Sequence, residues 1–244
     1  MILVTGANGL SGSELVRRLS ARGVPVRALV RSAVKAQGIS SLPKVEIVEG
    51  DMARPETLES PFRFSRMHGE IERRLEDSGM AFTHLRAGEF MHAYFRQVPS
   101  IVAKGALFLP MEDAKIASID IGDIADVAAA ILTSAGHEGK TYPLTGPEAL
   151  SMAEVAEKLS AAIGKRVQYV NISPEDAKRA QLAAGVPPFL ADALGELFAE
   201  RRKGKESQVS AVIPTVFGRR ATSFDEFARR HAAVFRGEQP APKI

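Results

Sequence analysis

Residues 2–5 (ILVT) form a short, continuous apolar and β-branched run, the pattern of a strand buried on both faces. The period then changes. Over 13–22, Leu15, Val16 and Leu19 fall on one side and Arg17, Arg18 and Arg22 on the other, which predicts an amphipathic helix ended by Gly23. VPVRALV (24–30) and VEIVEG (45–50) predict a second and a third strand. Strands alternating with helices place the chain in the α/β class, with a doubly wound parallel sheet.

Further along, HGEIERRLEDSG (68–79) predicts a helix stopped by Gly79. Its apolar positions Met67, Ile71 and Leu75 stand four apart and read as core, while Glu70, Arg73, Arg74, Glu76 and Asp77 read as a solvated face. AFTHLR (81–86) predicts a strand. KIASIDIGDIADVAAAILTSAG (115–136) predicts a strand and then a helix capped near Asp120–Asp123, with Asp123 the expected cap. The last third is mainly helical. Ser151 and Glu154 form a capping box for a helix reaching Ile163 and ended by Gly164. VQYVNI (167–172) predicts a strand, Ser173-Pro174 starts a helix, and Ser223–Glu226 opens the last one. The basic run 201–205 reads as a solvated loop and GEQPAPKI as a disordered tail.

Gly6, Gly9 and Gly12 sit where the first strand turns into the first helix. Strand, glycine turn, helix, strand is the context that a dinucleotide-binding fingerprint requires. Gly6 permits the tight turn, Gly9 lets a pyrophosphate approach the backbone, and Gly12 allows close helix–strand packing. Free N–H groups and the positive helix end then bind phosphate without a basic side chain. Thr5, Asn8 and Leu10 complete the expected cofactor-binding turn. The second strand ends in Arg31. Arg suits a 2′-phosphate where a carboxylate would suit a ribose hydroxyl, so Arg31, helped by Lys35, argues for NADP(H) over NAD(H). Asp51, after the third strand, either bonds the adenine amino group or caps the turn at Met52–Pro55.

TGANGLSG (5–12), LVRS (29–32), EGDM (49–52), residues 61–88, IASIDIGDIADVAAAIL (116–132) and YPLTGPEALSMAEVAEKL (142–159) together resemble the NmrA-like group of atypical short-chain dehydrogenases/reductases, and within it the quinone oxidoreductase and triphenylmethane reductase branch. The resemblance implies a Rossmann-like domain over 1–135 and a smaller, mainly helical substrate-binding region over 136–244. It also implies a departure. After the third strand the family carries a helix, a fourth strand, a further helix and a fifth strand, whereas here LESP (58–61) leads directly to the next helix. A strand–helix–strand unit needs about 30 residues, and none are present. The first strand is then left either to pair with 81–86 or to remain an unpaired edge.

In short-chain dehydrogenases a Tyr-x-x-x-Lys pair supplies the proton; the matching positions here are Phe64 and His68. Phe cannot donate one. His68 is the one candidate for a catalytic role, the alternative being a surface histidine beside Glu72. Loss of the Tyr favours acceptors that need no strong acid, such as quinones or cationic dyes. Phe90, Met91, Tyr94 and Phe95 are dense for a chain with 6% aromatic residues. They read either as flat walls for a planar acceptor or as core, and the family position favours the first. His92 is a secondary polar candidate there.

The chain has 244 residues, a net charge of +3 and no cysteine, which excludes disulfides and thiolate chemistry. No histidine pair has metal-ligand spacing, so no metal is expected. No apolar run suggests a membrane span or signal peptide, and a cytoplasmic location is expected. These observations together predict an NADPH-dependent reductase acting on a small quinone-like acceptor, as a monomer or homodimer, without nucleic-acid or membrane partners. The alternatives are a non-catalytic NADP-binding redox-sensing regulator and a shortened relative that has lost the cofactor.

Overall fold

The first three strands, β1 (Ile2–Val4), β2 (Val26–Val30) and β3 (Val45–Glu49), make one parallel sheet in the order β1-β2-β3. The computed structural model describes residues 1–30, 32–49 and 63–242, without the side chains of 49, 63–67 and 205. Helix α1 (Leu10–Ala21) buries Val16 and Leu19 against Val4, Val26, Ala28 and Val30, so the stripe read from the sequence is the one that packs. A 3-10 turn (Ala33–Ala36) and the one-turn helix α2 (Gln37–Ser40), with Ile39 fully buried, lead into β3.

Helix α3 (Arg63–Asp77) and strand β4 (Thr83–Ala87) follow. Arg86 donates two hydrogen bonds to Glu72, at 3.0 and 2.7 Å, and His84 lies 3.0 Å from Glu76, which ties α3 to β4. A 3-10 segment (Met91–Gln97), α4 (Val98–Lys104), β5 (Ala106–Leu109), α5 (Ile121–Thr133) and β6 (Lys140–Leu144) come next. β6, beyond residue 135, returns to pair with β4 in parallel. Among the described residues β1 pairs with β2 alone, so the parallel sheet is in two pieces, β1-β2-β3 and β4-β6. The pieces are joined through helices: α1 packs along α5, and Ala129 of α5 enters the core under β1 and β2.

The remaining elements are α6 (Met152–Ile163), β7 (Gln168–Asn171), α7 (Pro174–Ala183), α8 (Pro188–Arg202), α9 (Val212–Phe217), α10 (Phe224–Arg230) and α11 (Ala232–Phe235). β7 pairs with β5 in parallel. This lobe has the largest core, in which Phe95, Phe224, Phe227 and Phe235 pack on Leu107, Met111 and Leu159. Both capping boxes form, at Ser151/Glu154 and Ser223/Glu226. Arg220 and the Ser223 donors hold the Glu226 carboxyl down at about 2.

Four local expectations are corrected. Ile71, read as core, is 58% exposed. Residues 115–120 form only isolated bridges, Ile116 to Leu150 and Ile119 to Phe90, rather than a strand. Arg201 is not in a solvated loop: it is buried, hydrogen-bonded to Glu89 and, at 3.1 Å, to Glu206. The start of the expected tail is structured, with the Gly237 N–H donating to the Val234 carbonyl and Arg236 gripping Glu238.

Ile71→Gln is expected to change the unfolding free energy measured in urea by less than about 0.5 kcal/mol, as at an exposed site. Phe227→Ala, in the sealed core, is expected to cost about 3–5 kcal/mol in the same titration. The Glu226 box stabilises through an ionised carboxylate. Its contribution relative to Glu226→Gln is therefore expected in full above about pH 5 and to fade as pH falls towards 2.

Candidate functional site

The glycine turn adopts the geometry its residues imply. Gly6 sits at φ +59°, a left-handed conformation that side chains disfavour, and its carbonyl accepts from the Gly9 N–H at 2.9 Å. A Cβ at Gly12 would lie 2.3 Å from the Gly6 carbonyl oxygen, so helix and turn approach at a distance that only glycine allows. Gly9 is the N-cap of α1, and no side chain caps it. The first amides of α1 are therefore open to a ligand. Thr5, Gly6, Asn8 and Gly9 are exposed, and Leu10 is half-buried.

That turn forms one wall of a cleft of about 750 Å³. Asn8, Gly9, Leu10, Ser13 and Arg17 line it on the α1 side, the start of α5 forms its floor, and His92, Thr222, Arg230 and His231 close the far side. The cleft thus lies between the sheet-bearing part of the chain and the C-terminal helices. Pro242, in the segment expected to be a disordered tail, reaches its edge.

The floor is built by two carboxylates, each 2% exposed. Asp120, not Asp123, is the N-cap of α5: its Oδ1 accepts from the Gly122 N–H at 2.6 Å. Its Oδ2 accepts from Arg230 at 2.9 Å. Asp123 instead accepts from the Thr222 N–H at 2.7 Å and lies 3.4 Å from Arg219. Burial pushes the Asp123 carboxyl up, against the Thr222 hydrogen bonds that favour its ionised form. Asp126, one turn on, pairs with Arg219 at 2.5 Å and sits 2.9 Å from Arg18 of α1. One face of α5 therefore ties the C-terminal segment to the glycine-turn helix.

His92 stands where this clasp meets the aromatic core. Its ring packs edge-on against Phe95, Phe227 and His231 at centroid distances of 5.4, 5.1 and 5.6 Å. Its Nδ1 is buried with no hydrogen-bond partner. Burial drives the imidazole down to about 4; His231 and Arg230 add to this and Asp120 opposes it. Burial also lowers His231. Both shifts favour the neutral ring.

Met91, Tyr94 and Phe95 are 1, 6 and 3% exposed and belong to the core, and the Tyr94 hydroxyl, 3.3 Å from Ser118, is pushed up to about 12 by burial. Phe90 is half-buried and packs with Ile119 and Leu144. Met91, His92, Tyr94 and Phe95 are all buried along the 3-10 segment, and of these His92 also lines the cleft. His68 is exposed on α3 and is not among the residues lining the cleft. Lys35 is exposed on the 3-10 turn after β2. Arg31, Asp51 and the Phe64 side chain lie outside the described residues. Arg230 and His231 were not singled out by sequence reasoning: they belong to the last helices, and only the fold brings them to the glycine turn.

Comparison with known proteins agrees with this geometry. The model of the NmrA-like family matches residues 63–228, more than half the chain, and an NAD(P)H-binding model matches residues 6–63. The chain belongs to the NmrA-like family. The two matches meet at residue 63, close to LESP, where the sequence predicts that the family's further strands are absent. An NAD(P)H azoreductase of Xenophilus azovorans is 37% identical, over 96% of this chain and 99% of that protein. That alignment runs over 284 positions while this chain has 244 residues, so at least 40 positions of the relative have no counterpart here. Quinone oxidoreductase 2 of Escherichia coli is 31% identical, over 89% of this chain and 72% of that protein. The solved NADPH complex of an Escherichia coli NADPH-dependent quinone oxidoreductase superposes with a TM-score of 0.82 at 26% identity, covering 94% of this chain and 99% of that one. A triphenylmethane reductase of Citrobacter sp. shares the fold, with a TM-score of 0.77 at 21% identity over 95% and 98% of the two chains. The Rossmann-like α/β class of this NmrA-like chain is thereby established. Among the described residues no helix is long and apolar enough to cross a membrane.

Gly12→Ala tests the turn. The added methyl must displace the Gly6 carbonyl or the whole of α1. The variant is expected to lose about 1–3 kcal/mol of stability in urea unfolding. Its NADPH affinity by calorimetry is expected to fall by about tenfold, or ~1.4 kcal/mol.

Proposed function

We propose that this NAD(P)H-dependent oxidoreductase of the NmrA-like family takes NADPH in the cleft and reduces a planar, electron-poor acceptor, a quinone in the first instance and an azo compound as a related one. The observation that carries the reading is the uncapped α1 terminus, pressed against Gly6 at a glycine-only distance and opening into a cleft large enough for a ligand. The names of the azoreductase and quinone oxidoreductase relatives support the acceptor class.

In this reading the free amides around Gly9, those of Asn8 and of Leu10 to Gly12, hold the pyrophosphate, and Arg31, with Lys35, takes the 2′-phosphate. Asp51 is assigned to the adenine side. Residues 1–135 supply the cofactor site and 136–244 the opposite wall of the cleft. Bound dinucleotide supplies hydride; the chain's own residues hold both reactants together and keep the floor dry. Asp120 and Asp123 do this indirectly, by fixing the C-terminal wall against α5. Met91, Tyr94 and Phe95 act on the acceptor only through the segment they anchor. The wall of the cleft is more polar than the flat aromatic surface expected from the sequence, which suits an acceptor whose oxygen or nitrogen atoms gain charge on reduction.

Calorimetric titration with NADPH and then NADH is the test, followed by NADPH oxidation with a benzoquinone and with an azo dye. NADPH is expected to bind about tenfold more tightly than NADH, ~1.4 kcal/mol, with Arg31→Ala removing the difference. Binding with no turnover of either acceptor would favour a redox-sensing role. Failure to bind either nucleotide would overturn the reading altogether.

A further inference from the structure

We propose that His92 is a catalytic residue of the acceptor site, a neutral imidazole that presents its Nε2–H to the atom of the acceptor that gains negative charge. The inference rests on the oxidoreductase reading above and assigns the group that replaces the missing tyrosine.

The argument starts from an unmet hydrogen bond. His92 is 9% exposed and lines the cleft, yet its Nδ1 is sealed from solvent and has no partner. A buried, unpartnered N–H is rarer in folded proteins than a buried, unpartnered acceptor lone pair. The proton of the neutral ring is therefore assigned to Nε2, the nitrogen that is neither sealed nor hydrogen-bonded among the described residues, on a ring that lines the cleft. The charged and titratable groups around the ring are Asp120 beneath it and Arg230 and His231 opposite; Phe95 and Phe227 close its remaining sides. The apolar contacts hold the ring in place, and Asp120 is already occupied by Gly122 and Arg230. Among the described residues nothing takes up the Nε2 donor.

Such a donor suits a two-electron reduction of this class. NADPH bound in the cleft would supply hydride, so that reduction of the quinone would leave NADP⁺ and a hydroquinone monoanion. The Nε2–H hydrogen bond stabilises the developing charge, and water delivers the proton that completes the hydroquinone. The imidazole keeps its own proton throughout, so a ring of low basicity is an advantage: it stays a neutral donor across the physiological range.

The test compares wild type, His92→Phe and His92→Gln. Phe keeps the ring volume without the donor; Gln keeps a neutral N–H. At saturating NADPH, kcat with a benzoquinone is expected to fall about a hundredfold in His92→Phe and to be largely retained in His92→Gln, with NADPH affinity unchanged in both. Nitrogen NMR of the wild-type imidazole is expected to show the Nε2–H tautomer at pH 7, persisting to about pH 5. Wild-type kcat in His92→Phe, a loss that traces to NADPH affinity, or an Nδ1–H tautomer would each overturn the proposal while leaving the oxidoreductase reading in place. A wild-type protein that binds NADPH and reduces no acceptor would overturn the oxidoreductase reading instead. Should His92→Phe fail to fold, the Gln variant and the tautomer measurement decide.

Discussion

The contact of α1 with α5 does in this chain what hydrogen bonds do in an unbroken sheet. Among the described residues β1 has a partner on one side only, and β4 turns to β6 rather than to β1. Two helices packed side by side, with Ala129 inserted beneath β1 and β2, hold the glycine turn over the rest of the molecule. α5 is also the element gripped from the C-terminal side, through Asp120, Asp123 and Asp126. Every wall of the cleft is referenced to this one helix. Its two most buried carboxylates are each satisfied by an amide and approached by an arginine, the condition under which buried charge is tolerated.

The catalytic argument and the structural one converge at Arg230. It bonds the N-cap of α5 and stands beside both cleft histidines, so its charge steadies Asp120 and disfavours protonation of His92 and His231. Where short-chain dehydrogenases use a tyrosine, the matching position of this sequence is Phe64, and the imidazole of His92, on a different element, lines the cleft.

The parts legible in the sequence are those decided within a few residues. The glycine turn, the capping boxes at Ser151 and Ser223, and the stripe of α1 depend on spacing alone. The misreadings share one cause, the arrival of distant chain. Asp120 and Asp123 both carry the composition of a cap, and Thr222 with Arg219 recruits the second of them elsewhere. Arg201 looks solvated until Glu89 meets it from more than a hundred residues away. Met91, Tyr94 and Phe95 could have faced either way, and the helices after residue 222 claimed them for the core. Ile71 has the pattern of a buried position yet stands 58% exposed.

The divided sheet carries a consequence for how the molecule breathes. Among the described residues no strand pairing links β1, β2 and β3 to β4 and β6, and helix packing with the Arg18–Asp126 pair joins them, so the two groups are expected to open as separate cooperative units. Slow hydrogen exchange would then be graded: deepest in the phenylalanine-rich lobe, shallower in the small three-stranded sheet. A dinucleotide bridging the glycine turn and the C-terminal wall would stitch the two units together, so the ligand would finish a structure that the backbone leaves in halves.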